Sequence, residues 1–136
     1  MLVHGRVDPD RQLERLLRAA RRDESVLAVI LFGSRARGDH RPHSDVDVCL
    51  VSTPEIRDRL VLGRMRLAYA GEVDLDVQVF QQLPLYVRHR VLKEGRVLHV
   101  RDEDALYDLA YRTVREWERF RPRYEAYLAE VERDRS

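Results

Sequence analysis

Four aspartates in two strand-like segments are the residues of this sequence best suited to chemistry. Asp45 and Asp47 lie in "SDVDVCLV", Asp74 and Asp76 lie in "EVDLDVQVF", and the alternating spacing puts each pair on one face of its strand. If the two strands are neighbours in one sheet, three or four carboxylates come together and repel one another. Mg²⁺ prefers oxygen ligands, and a pair of such ions commonly serves in-line displacement at a phosphate. The pattern therefore predicts a magnesium site for phosphoryl or nucleotidyl transfer.

A glycine–serine turn precedes the first pair of aspartates. Gly33 and Ser34 follow "VLAVILF", an apolar run typical of a buried strand. Free backbone N–H groups and the Ser34 hydroxyl would make an anion site suited to phosphate, and glycine lets the backbone approach closely. Arg35 and Arg37 could neutralise further triphosphate charge, and Ser44 could touch phosphate or begin the next strand. No GxxxxGK[ST] pattern is present, so the turn is not a P-loop.

Helical and strand patterns alternate along the rest of the chain. The predicted order is a helix in "DPDRQLERLLRAARR", the strand "VLAVILF", a short helical turn in "SRARGD", the strand "SDVDVCLV", a helix with Thr53 as N-cap and Pro54 at its first position, the strand "EVDLDVQVF", the helix "LPLYVRHRVLKEG", the strand "RVLHV" and a long final helix. Pro122 is expected to break that last helix. This order predicts a single α/β (α+β) domain over residues 1–136, with a small mixed sheet of about four strands and helices packed on it.

Composition narrows the class of protein further. Charged residues make up 36% of the 136 residues, but the formal net charge is only +1, which argues against nucleic acid as the main partner. The single cysteine, Cys49, excludes a disulfide within the chain and is expected to be a buried small hydrophobe. The sequence has no signal-peptide pattern and no apolar stretch near the roughly 18 residues of a membrane span. We therefore expect a soluble, cytoplasmic protein.

The stretch "FGSRARGDHRPHSDVDVCLV" resembles the signature of the minimal nucleotidyltransferases, which belong to the DNA polymerase β-like nucleotidyltransferase superfamily. The resemblance continues through "VRHRVLKEGRVLHVRDEDALYDLAYRTVREW" and implies the polymerase β-like fold. It also implies that Gly33 and Ser34 hold the phosphates of the nucleotide, and that Asp45 and Asp47 ligate two Mg²⁺ ions.

The family's third carboxylate comes from a later strand. Here "VDL" makes Asp74 the first choice, and Asp76, on the same face, is the fallback. The implied reaction transfers AMP from ATP to an acceptor hydroxyl, with pyrophosphate leaving. Asp74 is also a candidate to take the proton of the acceptor.

The resemblance implies one acceptor, and two other interpretations stay open. Minimal nucleotidyltransferases often act as antitoxins of a helical HEPN ribonuclease toxin, and some transfer AMP to a tyrosine of that toxin; we favour this reading. The alternatives are a small hydroxylated molecule such as an aminoglycoside, with a pocket shared in a homo-oligomer, and an antitoxin that only binds. Aromatic residues of the final helix, at about 102–130, either fold back on the sheet or form a partner-binding stripe.

Overall fold

A computed structural model describes residues 8–33 and 46–135 of the chain. The described part contains four strands and four α-helices, joined in one case by a single 3₁₀ turn at Phe80–Gln82. In chain order the elements are α1 (Pro9–Arg22), β1 (Val26–Phe32), β2 (Asp47–Ser52), α2 (Arg59–Glu72), β3 (Asp76–Val79), α3 (Leu85–Glu94), β4 (Arg96–Val100) and α4 (Glu103–Arg135).

The four strands form one mixed sheet in the order β3-β2-β1-β4. Strand β1 is antiparallel to both β2 and β4, whereas β2 and β3 are parallel. A parallel pair needs a crossover connection, and α2 supplies it. The predicted small mixed sheet with packed helices and a long final helix is confirmed.

Each face of the sheet carries its own hydrophobic core. Alternate residues of β2 belong to different cores. Val48 and Leu50 face the layer of α1 and α2, while Cys49 and Val51 face the layer of α3 and the first part of α4. Strand β1 is covered on both faces and is buried from its first residue to Leu31, which explains its unbroken apolar run. Asp47 and Asp76 have the same parity as Cys49 and therefore belong to the α3–α4 face.

Helix α2 begins later than the sequence suggested. The predictions that Thr53 caps this helix and that Pro54 is its first residue are wrong. The backbone carbonyl of Thr53 accepts a turn hydrogen bond from the Ile56 N–H at 3.1 Å, and the helix starts at Arg59. Asp58 is the N-cap and accepts from the Leu60 N–H at 2.8 Å. Residues 54–58 form a turn and a short irregular segment between β2 and this helix.

Helix α4 is continuous over 33 residues, or about 50 Å at 1.5 Å per residue, so the predicted break at Pro122 is wrong. Aromatic contacts on both sides of the proline hold the helix to α3: His89 stacks on Trp117 with ring centroids 5.1 Å apart, and Tyr86 stacks on Tyr124 at 5.6 Å. Beyond these contacts Tyr127 is 61% exposed. None of the helices in the described part of the chain is long and apolar enough to cross a membrane.

A polar network joins the start of β1 to the end of α1. Arg101, just after β4, donates to the backbone carbonyls of Ala20, Arg21, Asp23 and Val26 over 2.9–3.2 Å. These include carbonyls at the C-terminal end of α1 that lack partners within the helix. The Asp23 carboxylate accepts hydrogen bonds from the hydroxyls of Ser25 at 2.6 Å and Tyr69 at 2.8 Å. The network lies at the end of β1 opposite Gly33.

Candidate active site

The candidate site is a row of three residues on neighbouring strands. Asp47, the first residue of β2, pairs with Phe32 in the antiparallel ladder and with Asp76, the first residue of β3, in the parallel ladder. Residues paired in this way share one face of a sheet, and adjacent strands lie about 4.8 Å apart. The Asp76 N–H donates to the Val46 carbonyl at 3.0 Å, which fixes the register. The two carboxylates are therefore neighbours at one edge of the α3–α4 face.

Gly33 follows Phe32 at the end of β1 and lies directly beside the Asp47 side chain. Its backbone has φ = +81°, the only positive φ among residues 8–33 and 46–135. A Cβ atom added to Gly33 would overlap an Asp47 carboxylate oxygen and lie only 3.2 Å from the Asp47 Cγ. Glycine is needed here for two reasons, since the left-handed conformation disfavours other residues and there is no space for a side chain. The predicted phosphate turn thus begins in contact with a predicted metal ligand.

The structure brings Asp76, rather than Asp74, beside Asp47. Asp74 precedes β3, is exposed, and donates its backbone N–H to the side-chain oxygen of Gln12 on α1 at 3.1 Å. Asp76 is in register with Asp47, and its carboxylate accepts a hydrogen bond from the Gln78 amide at 3.0 Å. Within the described residues, no three His, Cys, Asp or Glu side chains gather closely enough to hold a metal ion. Asp74 therefore does not form a three-carboxylate metal site with Asp47 and Asp76.

Five predicted site residues lie outside the described residues: Ser34, Arg35, Arg37, Ser44 and Asp45. The predicted helical turn in "SRARGD" lies there too. Their roles remain predictions.

Cys49 is fully buried within the sheet, as the sequence suggested, and burial raises the pKa of its thiol. A thiol that stays protonated is a poor nucleophile. Cys49 is therefore not a candidate catalytic residue, although it lies only two positions after Asp47 in the sequence.

A small cavity of about 150 Å³ adjoins the site and was missed by sequence reasoning. Its walls are Phe32 and Gly33 on the sheet side and Val87, Arg90, Val91 and Glu94 on α3. Arg90 and Glu94 form an ion pair at 3.8 Å, with 64% and 37% of their side chains exposed. No local pattern marks these residues. These residues come close to Gly33 because β4, which follows α3 directly, pairs with β1. They could have been predicted only from this strand pairing.

The family profile described as "Polymerase beta, Nucleotidyltransferase" matches residues 14–104, more than half of the 136-residue chain. The chain belongs to this family. The matched segment contains Gly33, Asp47 and Asp76, so the row of residues described above lies within the part that the family shares.

One curated relative is a protein of Methanocaldococcus jannaschii (strain ATCC 43067 / DSM 2661 / JAL-1 / JCM 10045 / NBRC 100440) named "Putative protein adenylyltransferase". It is 30% identical over 73 residues, which are 54% of this chain and 55% of the relative. The chain thus spans about half the length of the curated relative that it matches.

Solved structures of toxin–antitoxin complexes share the fold. A chain in the crystal structure of a toxin–antitoxin with AMP-PNP superposes with a TM-score of 0.66 at 19% identity, covering 92% of this chain and 98% of that one. A chain in the complex of tri-AMPylated Shewanella oneidensis HEPN toxin with MNT antitoxin superposes with a TM-score of 0.61 at 18% identity, covering 90% and 95%. At these identities the likeness establishes the fold alone.

Proposed function

We propose that this member of the family is a magnesium-dependent adenylyltransferase that transfers AMP from ATP to a hydroxyl of a partner protein. The observation that carries the proposal is the contact of the Gly33 turn with Asp47, together with the register that puts Asp76 beside it. A phosphate-binding turn and two adjacent carboxylates are the parts that nucleotidyl transfer needs.

The chemistry of the donors fits magnesium. Asp47 and Asp76 offer hard carboxylate oxygens on adjacent strands, and Asp45, two positions before Asp47, is the natural third ligand. Asp76 replaces Asp74 as our choice for the later strand, because Asp76 is in register and Asp74 precedes the strand. Bound Mg²⁺ would neutralise charge on the phosphates and lower the pKa of an acceptor hydroxyl.

The chain's own residues hold and orient the reactants. Gly33 and Ser34 bind phosphate oxygens through backbone N–H groups and the serine hydroxyl, and Arg35 and Arg37 balance remaining charge. The acceptor oxygen forms a bond to the α-phosphorus as the bond from that phosphorus to the bridging oxygen of pyrophosphate breaks. Strand β3 is at the edge of the described sheet and Asp76 is exposed, so an acceptor could reach it, and we assign to it the acceptor's proton.

The acceptor that we propose is a tyrosine of a HEPN-type toxin, with this chain as its antitoxin. Support comes from the fold shared with the antitoxin of an AMPylated HEPN toxin and from the distal surface of α4, where Tyr127 and Leu128 are 61% and 45% exposed. Exposed aromatic residues favour a protein partner. In this proposal residues 1–136 act as one nucleotidyltransferase domain, and the helix at about 102–130 contacts the toxin.

The test is to mix the purified chain with a HEPN-type toxin as candidate partner, ATP and Mg²⁺, and to weigh both proteins by mass spectrometry. We expect an AMP-sized increment on a tyrosine of the partner. Asp47→Asn and Asp76→Asn should abolish it, while Asp74→Asn retains most of the rate. Neutralisation of the toxin without any increment would favour a binding-only antitoxin. Loss of activity in Asp74→Asn but not in Asp76→Asn would contradict our choice of ligand.

A further inference from the structure

The cavity between Gly33 and α3 lies next to the row of candidate site residues. Phe32 forms one wall of the cavity and is the direct cross-strand partner of Asp47 on the same face. Directly paired residues of an antiparallel ladder have Cβ atoms about 5 Å apart. The cavity therefore begins roughly one side chain away from the carboxylate that we assign to the metal.

The direction of the triphosphate follows from the proposed function, on which this inference rests. The α-phosphate must lie at Asp47 and Asp76, where the bond changes occur, and the turn at Gly33 binds phosphate. The β- and γ-phosphates therefore extend from β2 toward β1 and reach the space that α3 borders. The one cation that lines this space is Arg90, among the described residues of its wall.

We propose that Arg90 binds the β- and γ-phosphates of the nucleotide and so orients the pyrophosphate leaving group. A guanidinium presents several N–H donors in a planar fork that matches phosphate oxygens. Its side chain is 64% exposed, and Val87 and Val91 on the same helix pack against the sheet side and keep the helix in place. Arg90 is thus a binding and positioning residue of the site that comes from a different element than the turn.

In the absence of nucleotide, Glu94 competes with phosphate for the Arg90 guanidinium. The Arg90–Glu94 ion pair, at 3.8 Å between exposed side chains, is a weak contact that phosphate can replace. A carboxylate on the same cavity wall also repels the incoming phosphates. Removing the charge of Glu94 while keeping its shape should therefore strengthen binding of a triphosphate, which is the opposite of the effect expected for loss of Arg90.

The experiment is calorimetric titration of MgATP and of AMP, which lacks the β- and γ-phosphates, into the full chain and its variants. We expect Arg90→Ala and Arg90→Met to raise the Kd for MgATP about tenfold and the Kd for AMP less than twofold. Glu94→Gln should lower the Kd for MgATP. The matched control is Arg64→Ala, which removes an exposed arginine of α2 and should change neither constant.

The outcomes separate this inference from the proposed function. If the unaltered chain binds MgATP but Arg90→Ala weakens ATP and AMP equally, or weakens neither, the assignment of Arg90 is refuted while the proposed function stands. If the unaltered chain does not bind MgATP, the proposed function fails and the inference fails with it. Thermal unfolding of Arg90→Met, which keeps the aliphatic part of the side chain, confirms that any change in affinity does not come from unfolding.

Discussion

Replacing Gly33 with alanine should damage both the stability of the fold and its chemistry. A residue other than glycine at φ = +81° costs about 1–3 kcal/mol. The added Cβ also overlaps the Asp47 carboxylate, and moving that side chain off its rotamer costs about 1 kcal/mol more. The sum is about 3 kcal/mol, which for a chain of this size lowers the Tm by roughly 10 °C.

The same overlap should reduce catalysis by more than the loss of stability can explain. Asp47 must move to admit the new methyl group, and a displacement of about 1 Å in a catalytic constellation can lower the rate about 100-fold. We expect Gly33→Ala to remain folded at 20 °C, by circular dichroism, and to carry out the proposed AMP transfer about 100 times more slowly than the unaltered chain at that temperature.

Gly71→Ala is the matched control for this prediction. Gly71 lies in helix α2, and a Cβ atom added there meets nothing within 4 Å. The free energy of unfolding should be unchanged or higher by up to about 1 kcal/mol, because alanine loses less backbone entropy than glycine on folding. If Gly33→Ala unfolds at the same temperature as Gly71→Ala, the argument from backbone conformation and overlap is refuted.

Three further predictions concern the body of the fold. Cys49 should not react with a thiol reagent such as DTNB in the native state, because burial keeps its thiol protonated; fast labelling without denaturant would contradict the buried position. Burial acts to raise the pKa of Asp23, but its hydrogen bonds and the Arg101 charge outweigh burial and hold that pKa below the usual value. The stability from Asp23 should therefore be fully present above about pH 4 and be lost as the pH falls through the lowered pKa, so that unfolding curves of Asp23→Asn and the unaltered chain converge in acid. Arg101→Ala should lower the free energy of unfolding by about 2–3 kcal/mol in urea titrations, because several carbonyls around the end of α1 lose a charged donor; an unchanged midpoint would show that water replaces it without cost.

Sequence patterns predicted most of the helices and strands that border the candidate site. An unbroken apolar run bounded by turn residues predicted β1 over its full length, since a strand covered on both faces needs such a run. Gly33 and Asp47 were predicted from their types and spacing, and the structure puts them in contact. These features depend on local sequence, which is why a pattern could indicate them.

The choice between Asp74 and Asp76 could not be made from the sequence. Both have the same parity along the chain, so alternation puts them on one face, and only the register of the parallel pair shows which one lies opposite Asp47. That register depends on how Val77 and Val79 pack beneath α2, which is a tertiary contact. Arg90 was not predicted for a similar reason, because it lines the same cavity as Gly33 only when β4 pairs with β1.

The register of Asp47 and Asp76 has a consequence for how this protein balances stability against activity. Asp47 and Asp76 are directly paired on adjacent strands, and like charges opposite each other in a sheet destabilise it. Asp76→Asn removes one charge while its side-chain oxygen can still accept the hydrogen bond from Gln78. This variant should therefore unfold at a higher temperature than the unaltered chain. Under the proposed function it should also lose AMP transfer, and the Asp76 carboxylate would then be a residue retained for activity at a cost in stability.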